Sequence, residues 1–218
     1  NGLQRGDSIG VHCRNSSAVM KIHFAAAALH CVVVNLNVNL ASRELEYILL
    51  DSGVKLCFVD TGVASSLVEA RGNLSGTLDF EMVWVHVEGG LTVADEEARV
   101  GFEFGSLLSE SASAVHHLPD VIDRSLDDVF HLYYTSGTTG RPKPVELSHR
   151  IVAFHAIGTI KEMNLNAFDV WGHIAPMFHL VDVFAIYAIT LVGGRHVTMP
   201  VFSASDALIM METECVSV

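Results

Sequence analysis

The sequence predicts a layered α/β/α fold on a mainly parallel sheet, and three observations carry that expectation. Short β-type runs alternate with helix-length stretches along most of the chain. The strand-like runs are nearly unbroken in apolar, β-branched residues, as strands covered on both faces tend to be. Cap and turn residues fall at the junctions that such alternation requires.

Taken in order, Ser8–Cys13 (SIGVHC) reads as a strand behind a Gly6-Asp7 turn. Asn15, Ser16 and Ser17 are N-cap candidates for an Ala- and Met-rich helix through about Leu29. Cys31–Leu36 (CVVVNL) is a strand of the buried type. Ser42 is expected to cap the helix RELEYILLDSG, which sets Leu45, Ile48 and Leu49 on one face and stops at Gly53. Lys55–Asp60 and Glu81–Val87 are the next strands. Glu88–Asp128 is less regular, acidic and Gly- and Ser-containing; it reads as a connecting excursion with one short helix around Phe104–Ser111. Val129–Tyr134 (VFHLYY) is expected as a buried strand and Thr135–Pro144 as an exposed loop. A helix from about Ser148 to Met163, a strand at Val170–Ala175 and a helix from about Leu180 to Leu191 follow. A Gly193-Gly194 turn then leads into the strand RHVTM, and no internal repeat is visible.

Composition narrows the function classes. In 218 residues, half are apolar, enough for one large domain with a sizeable core. The formal charge of −12 repels phosphate backbones and anionic lipid, which argues against nucleic-acid binding. Cys13, Cys31, Cys57 and Cys215 form no C-x-x-C pair and read as packed, reduced thiols. The histidines are scattered, and the doublet His116-His117 near Pro119 reads as loop, so no metal site is expected. The longest apolar run, Phe24–Val34, is too short to span a membrane. No basic stretch precedes an apolar segment at the start, so an intracellular location, cytoplasmic or in an organelle lumen, is expected. Asn15-Ser16-Ser17 and Asn73-Leu74-Ser75 match the glycosylation sequon by chance on this reading. Oligomeric state leaves no trace in the sequence.

The stretch TSGTTGRPK (Thr135–Lys143) carries the chemistry. Glycines let backbone N–H groups approach an anion, hydroxyls donate to phosphate oxygens, and lysine supplies a mobile charge. Each charge-assisted bond to phosphate contributes roughly 1.5–3 kcal/mol. It is not a Walker A loop, because Lys143 stands behind Pro142 rather than directly after Gly140. By composition alone, a surface loop with ordinary turn chemistry fits as well.

The full order of residues adds more. LYYTSGTTGRPKPVELSHR (Leu132–Arg150) resembles the signature loop of the acyl-adenylate-forming, or AMP-binding, superfamily. Gly2–Asp60 resembles that family's early region, and APMFHLVDVFAIYAITLVGGRHV (Ala175–Val197) its PMFH segment. The early LN and the PMFH look more like acyl-CoA synthetases than peptide-synthetase adenylation domains. The resemblance implies that residues 1–218 are the first part of the large N-terminal domain of AMP-dependent synthetases/ligases. It implies that a carboxylic (fatty) acid is activated with MgATP as acyl-AMP and transferred to coenzyme A. Thr135, Ser136, Gly137, Thr138, Thr139, Gly140 and Lys143 would hold the β- and γ-phosphates, with Lys143 the catalytic residue. His179 would border the adenylate and acyl pocket; standing alone, it would read as a core histidine.

Three departures bear on that carry-over. Pro144 stands where the family has glycine, which fixes φ and removes an N–H. Asp182 replaces a glycine three residues after His179, which would set a carboxylate near an anionic nucleotide unless it turns away or pairs. The later motifs for adenine, ribose and the distal catalytic lysine do not occur before METECVSV. A ligase fragment, inactive on its own, is therefore one expectation. A truncated non-catalytic relative or pseudoenzyme that keeps only a phosphate-binding loop is the other.

Overall fold

The computed structural model describes residues 2–87, 102–112, 125–135 and 141–218. Among these, strands β1 (Ser8–His12), β2 (Val32–Asn35), β3 (Leu56–Asp60), β4 (Glu81–Val85), β5 (Phe102–Glu103), β6 (Val129–Thr135) and β7 (Lys143–Ser148) form one sheet. Their order is β5-β4-β3-β1-β2-β6-β7, and every neighbouring pair is parallel except β6 and β7. A separate parallel pair is made by β8 (Val170–His173) and β9 (Arg195–Thr198).

Connections in such sheets are right-handed, so reversing direction moves the crossover helix to the other face. From β1 the chain steps one way to β2 through α1 (Ser17–Leu29), then back past β1 to β3 through α2 (Ser42–Ser52). Accordingly α1 packs on one face with α4 (Phe104–Ala112) and α6 (Leu180–Val192), where Val19, Ile22, Phe104 and Ile186 meet Ile9, Val11 and Val33. On the other face, α2 and α3 (Ser65–Asn73) bury Leu45, Ile48, Leu49 and Leu67 against Val34, Cys57, Val59 and Trp84. Each such fully buried aliphatic side chain contributes about 1.5–3 kcal/mol. The order reverses between β1 and β3, which makes the carboxyl edge there the natural place for a ligand. α5 (His149–Met163) lies along α6, joined by Ala156, Ala185 and Ala188, and α7 (Ala204–Thr213) ends the described elements.

Several local expectations hold and several shift. Ser148 caps α5, its hydroxyl accepting from Ile151 N–H at 3.4 Å. Gly53 ends α2 with φ 59°, a left-handed residue that glycine adopts at little cost. The cap of α2 is Ala41 rather than Ser42; Glu44 of the first turn reaches back to accept from the Ala41 N–H at 3.0 Å. Gly10 sits where β1 passes close to its neighbours, since a Cβ there would lie 2.8 Å from Cys57 Sγ.

The expected loop Thr135–Pro144 is corrected at its ends, and its residues 136–140 lie outside the described residues. Thr135, Lys143 and Pro144 belong to paired strands, and β7 stands between the loop and α5. That strand is at the sheet edge and largely exposed, so it has no apolar alternation to announce it. The strands β8 and β9 form their own sheet rather than joining the main one. Cys13, Cys31 and Cys57 are buried free thiols as expected, whereas Cys215 is exposed. His116-His117 and much of the acidic excursion lie outside the described residues. Among the described residues, no helix is long and apolar enough to cross a membrane.

Candidate functional site

The carboxyl ends of β1, β2 and β6 share one edge of the sheet. Thr135 is the last residue of β6 and is exposed there. Lys143, the first residue of β7, is its antiparallel partner, and Thr135 Oγ1 lies 3.4 Å from the Lys143 carbonyl oxygen. The two ends of the glycine- and hydroxyl-rich loop are thus pinned side by side. Lys143 is exposed and makes no ion pair with any described residue. Ser136, Gly137, Thr138, Thr139 and Gly140 lie outside the described residues. Arg141 follows, its guanidinium 5.8 Å over the Tyr47 ring, while Tyr134 donates to Asp51 at 2.7 Å. Both contacts tie the hairpin to α2, and cation–π contacts of this kind contribute about 0.5–1 kcal/mol at exposed sites.

His179 reaches the same edge by a different route. It is the extended N-cap of α6 (φ −111°, ψ 147°) and is exposed. The segment before it is fastened by Asn15, just past the end of β1. Asn15 Nδ2 donates to the carbonyls of His173 (2.9 Å) and Ala175 (2.7 Å), and its Oδ1 accepts from Met177 N–H (2.7 Å). Asn15 is 4% exposed, so the sequon at this position is structural rather than a surface acceptor. Beside it, Arg14 makes a two-pronged pair with Asp60 at the end of β3, at 2.5 and 2.9 Å. That hydrogen bonding raises the Arg14 pKa further above its ordinary value. A cleft of about 650 Å³ opens here, bordered by Arg14, Asn15, Asn39, Phe178 and Phe202.

Asp182 does not face this edge. Its carboxylate turns inward, 2% exposed, and accepts from Trp171 Nε1 (3.1 Å) and His173 Nδ1 (2.7 Å). The chain continues from His173 Nε2 to His196 Nδ1 (2.9 Å) and from His196 Nε2 to Thr190 Oγ1 (3.0 Å). Burial, then the neighbouring His173, pulls the His196 pKa down to about 4. The repulsion expected from Asp182 is therefore absent for a simple reason: the side chain turns away and pairs. Pro144, the other departure, occupies an edge strand, where proline is tolerated.

Behind the edge lies an apolar cavity of about 170 Å³, walled by His131, Tyr133, Leu147, Val183, Phe184 and Tyr187. Leu180, which follows His179, also lines it, and Tyr133 precedes Thr135 by two positions on β6. Sequence reading missed these lining residues, and it missed Asn15 and the Arg14–Asp60 pair. The apolar stretches that supply Tyr133 and Tyr187 look like ordinary core, and Asn15 was hidden by its resemblance to a cap. A signal for Asn15 was present: an amide side chain directly after a buried strand has carbonyls to satisfy.

Comparison with known proteins follows this geometry. The model of the AMP-binding enzyme family matches residues 1–218. The chain is 27% identical over 219 residues to the long-chain-fatty-acid–CoA ligase FadD13 of Mycobacterium tuberculosis, covering 99% of this chain and 39% of that protein. It is 26% identical over 211 residues to the chloroplastic/peroxisomal 2-succinylbenzoate–CoA ligase of Arabidopsis thaliana, covering 97% of this chain and 37% of that protein. Among solved structures, the inhibitor-bound N-terminal domain of FACL13 from Mycobacterium tuberculosis superposes with a TM-score of 0.78 at 26% identity, covering 99% of this chain and 49% of that one. A long-chain-fatty-acid-CoA ligase (FadD1) from Archaeoglobus fulgidus gives 0.79 at 25% identity, covering 99% and 40%. The chain spans less than half the length of these relatives.

Proposed function

The chain belongs to the AMP-binding enzyme family, and from that premise we propose that it is the first part of the large N-terminal domain of a carboxylate–CoA ligase. The reaction would activate a carboxylic acid with ATP as acyl-AMP and then pass the acyl group to coenzyme A. The observation that carries this reading is the hairpin at the carboxyl edge, where Thr135 and Lys143 hold the two ends of a loop made of glycines and hydroxyls.

In this reading Thr135, Ser136, Gly137, Thr138, Thr139, Gly140 and Lys143 hold the β- and γ-phosphates. A carboxylate oxygen attacks the α-phosphorus, the bond to the bridging oxygen breaks, and pyrophosphate leaves with the electron pair. Lys143 is exposed and without an ion-pair partner among the described residues, so its charge is available where that negative charge grows. A thiolate then attacks the acyl carbon and AMP leaves. His179 would border the adenylate, and the 170 Å³ cavity behind it would take the apolar part of the acid. Among the described residues, no group of three or more His, Cys, Asp or Glu could hold a metal ion.

The named relatives act on different acids but share the acid–CoA ligase class, which supports the class without choosing the acid. The non-catalytic alternative is weaker, because neither Pro144 at the strand edge nor Asp182 in the interior obstructs the site. The test is carboxylate-dependent exchange of labelled pyrophosphate into ATP by the protein that carries this chain. No exchange with any of a broad panel of aliphatic and aromatic acids overturns the reading.

A further inference from the structure

Two apolar spaces meet at Tyr187. One is the cavity of about 170 Å³ behind Thr135 and His179. The other is an open groove of about 560 Å³ bordered by α1, α5 and α6, with Phe24, Ala153, Ile157 and Leu191 in its walls. Tyr187 and Val152 line both, so these side chains stand between the cavity and the groove.

Tyr187 is held in that position from two sides. Asn35 Nδ2 donates to His131 Nδ1 at 3.1 Å, so a neutral His131 carries its proton on Nε2 and donates it to Tyr187 Oη at 2.9 Å. The Tyr187 hydroxyl in turn donates to His23 Nδ1 at 2.8 Å. Burial keeps both imidazoles neutral, lowering His23 to about 4 and His131 well below its ordinary value. The ring itself is flanked edge-on by Phe24 at 5.7 Å and Phe130 at 5.8 Å. Swinging the side chain aside would break two hydrogen bonds inside a buried network, whose freed groups have no water to turn to.

Resting on the ligase reading above, we propose that Tyr187 sets the length limit of the acid, closing the cavity so that only short or single-ring tails fit. A cavity of about 150 Å³ holds one benzene ring, so this one accepts a tail of about six carbons. His131, His23 and Asn35 are positioning residues that act through Tyr187. Removing the ring opens the cavity into the groove and admits long alkyl tails.

The experiment is titration of the full chain with two probe series, n-alkanoates and n-alkanols from butyl to tetradecyl. Affinity should rise roughly fourfold per methylene while the cavity fills, break near hexyl, and stay level or fall beyond it. In Tyr187→Ala and Tyr187→Leu the rise should continue past decyl. An unbroken rise to tetradecyl in the unaltered chain overturns the proposal, as does an unmoved break in either folded variant. The break is read first on the unaltered chain, so the proposal can fail even if both variants misfold. Alkanols that show the break while alkanoates do not bind support the partition and count against the acid-ligase reading instead.

Discussion

Replacing Asn15 with alanine tests how the site's two halves are joined. The side chain makes three hydrogen bonds, at 2.9, 2.7 and 2.7 Å, to the backbone of the segment that leads into His179. Alanine removes all three and leaves the buried Met177 N–H without a partner, while the His173 carbonyl still accepts from Met199 N–H at 3.2 Å and the half-exposed Ala175 carbonyl can turn to water. An unsatisfied buried backbone group costs about 1–3 kcal/mol, and the Met177 N–H is the one such group. A loss of about 2 kcal/mol lowers Tm by roughly 4–8 °C in a chain of this size. Asn15→Asp sharpens the test, because it is isosteric and keeps the acceptor for Met177 N–H. It also turns an oxygen toward two carbonyls that now receive N–H donors. At neutral pH the aspartate variant should be less stable than the alanine variant, and the gap should narrow as acid restores one donor. Calorimetry on the three proteins measures this. An alanine variant within about 2 °C of the parent, or an aspartate variant more stable than alanine at neutral pH, refutes the argument.

Lys143→Ala should leave stability within about 0.5 kcal/mol but lower pyrophosphate exchange by roughly 10- to 150-fold, the equivalent of one charge-assisted phosphate bond; equal exchange rates remove Lys143 from the mechanism. Asp60→Ala leaves the Arg14 guanidinium without its buried partner and should destabilise by about 3–5 kcal/mol, read by urea denaturation. Acid should destabilise the fold through His12 and His23, whose pKa values burial lowers to about 4. The unfolded chain takes up protons below about 6.5 that the native state refuses. Stability is thus fully present above that pH and falls toward pH 4 by about 1.4 kcal/mol per unit for each histidine, and His23→Leu should flatten the slope by one such step. Asp182→Gly should destabilise the fold by leaving Trp171 Nε1 and His173 Nδ1 without their acceptor, whereas an anionic nucleotide should bind no more tightly than to the parent. Tighter binding of MgATP by the glycine variant would show that the carboxylate reaches the site.

The main sheet was legible because its strands are short apolar runs between caps, and Ser148, Gly53 and the Val129–Tyr134 strand stand close to where their chemistry puts them. What escaped was whatever lacks an apolar stripe. In α3 only Leu67 and Ala70 are buried, and in α7 only Ala207 is, so neither has the wide apolar face that marks a helix. The edge strand β7 is exposed for most of its length, and β5 is only Phe102–Glu103. At the candidate site, Thr135, Lys143 and His179 were picked out as a linear pattern, since each lies in a stretch that is contiguous in sequence. Asn15, Arg14 and Asp60 were not, because their meaning depends on partners at separations of 46 to 162 residues.

Asp182 illustrates why position along a helix decides so little about electrostatics. It lies in the first turn of α6, where the exposed N–H groups favour a negative charge. Read linearly, it stands three residues from His179 and so beside the same ligand. His179, however, is the extended N-cap (φ −111°, ψ 147°) and lies outside the helical repeat, whereas Asp182 is inside it and turns its carboxylate to β8. Trp171 and His173 on β8 offer two N–H donors to the buried carboxylate, so the charge is met where it lies. The groups that receive Asp182 are the same segment that Asn15 fastens to the main sheet, through the His173 carbonyl. A glycine in that place would free the helix end but leave the second sheet with unmet donors. The acidic substitution and the second sheet's docking are therefore one structural solution, and the carboxyl edge is left with the exposed positive charge of Lys143 and without the Asp182 carboxylate turned toward it.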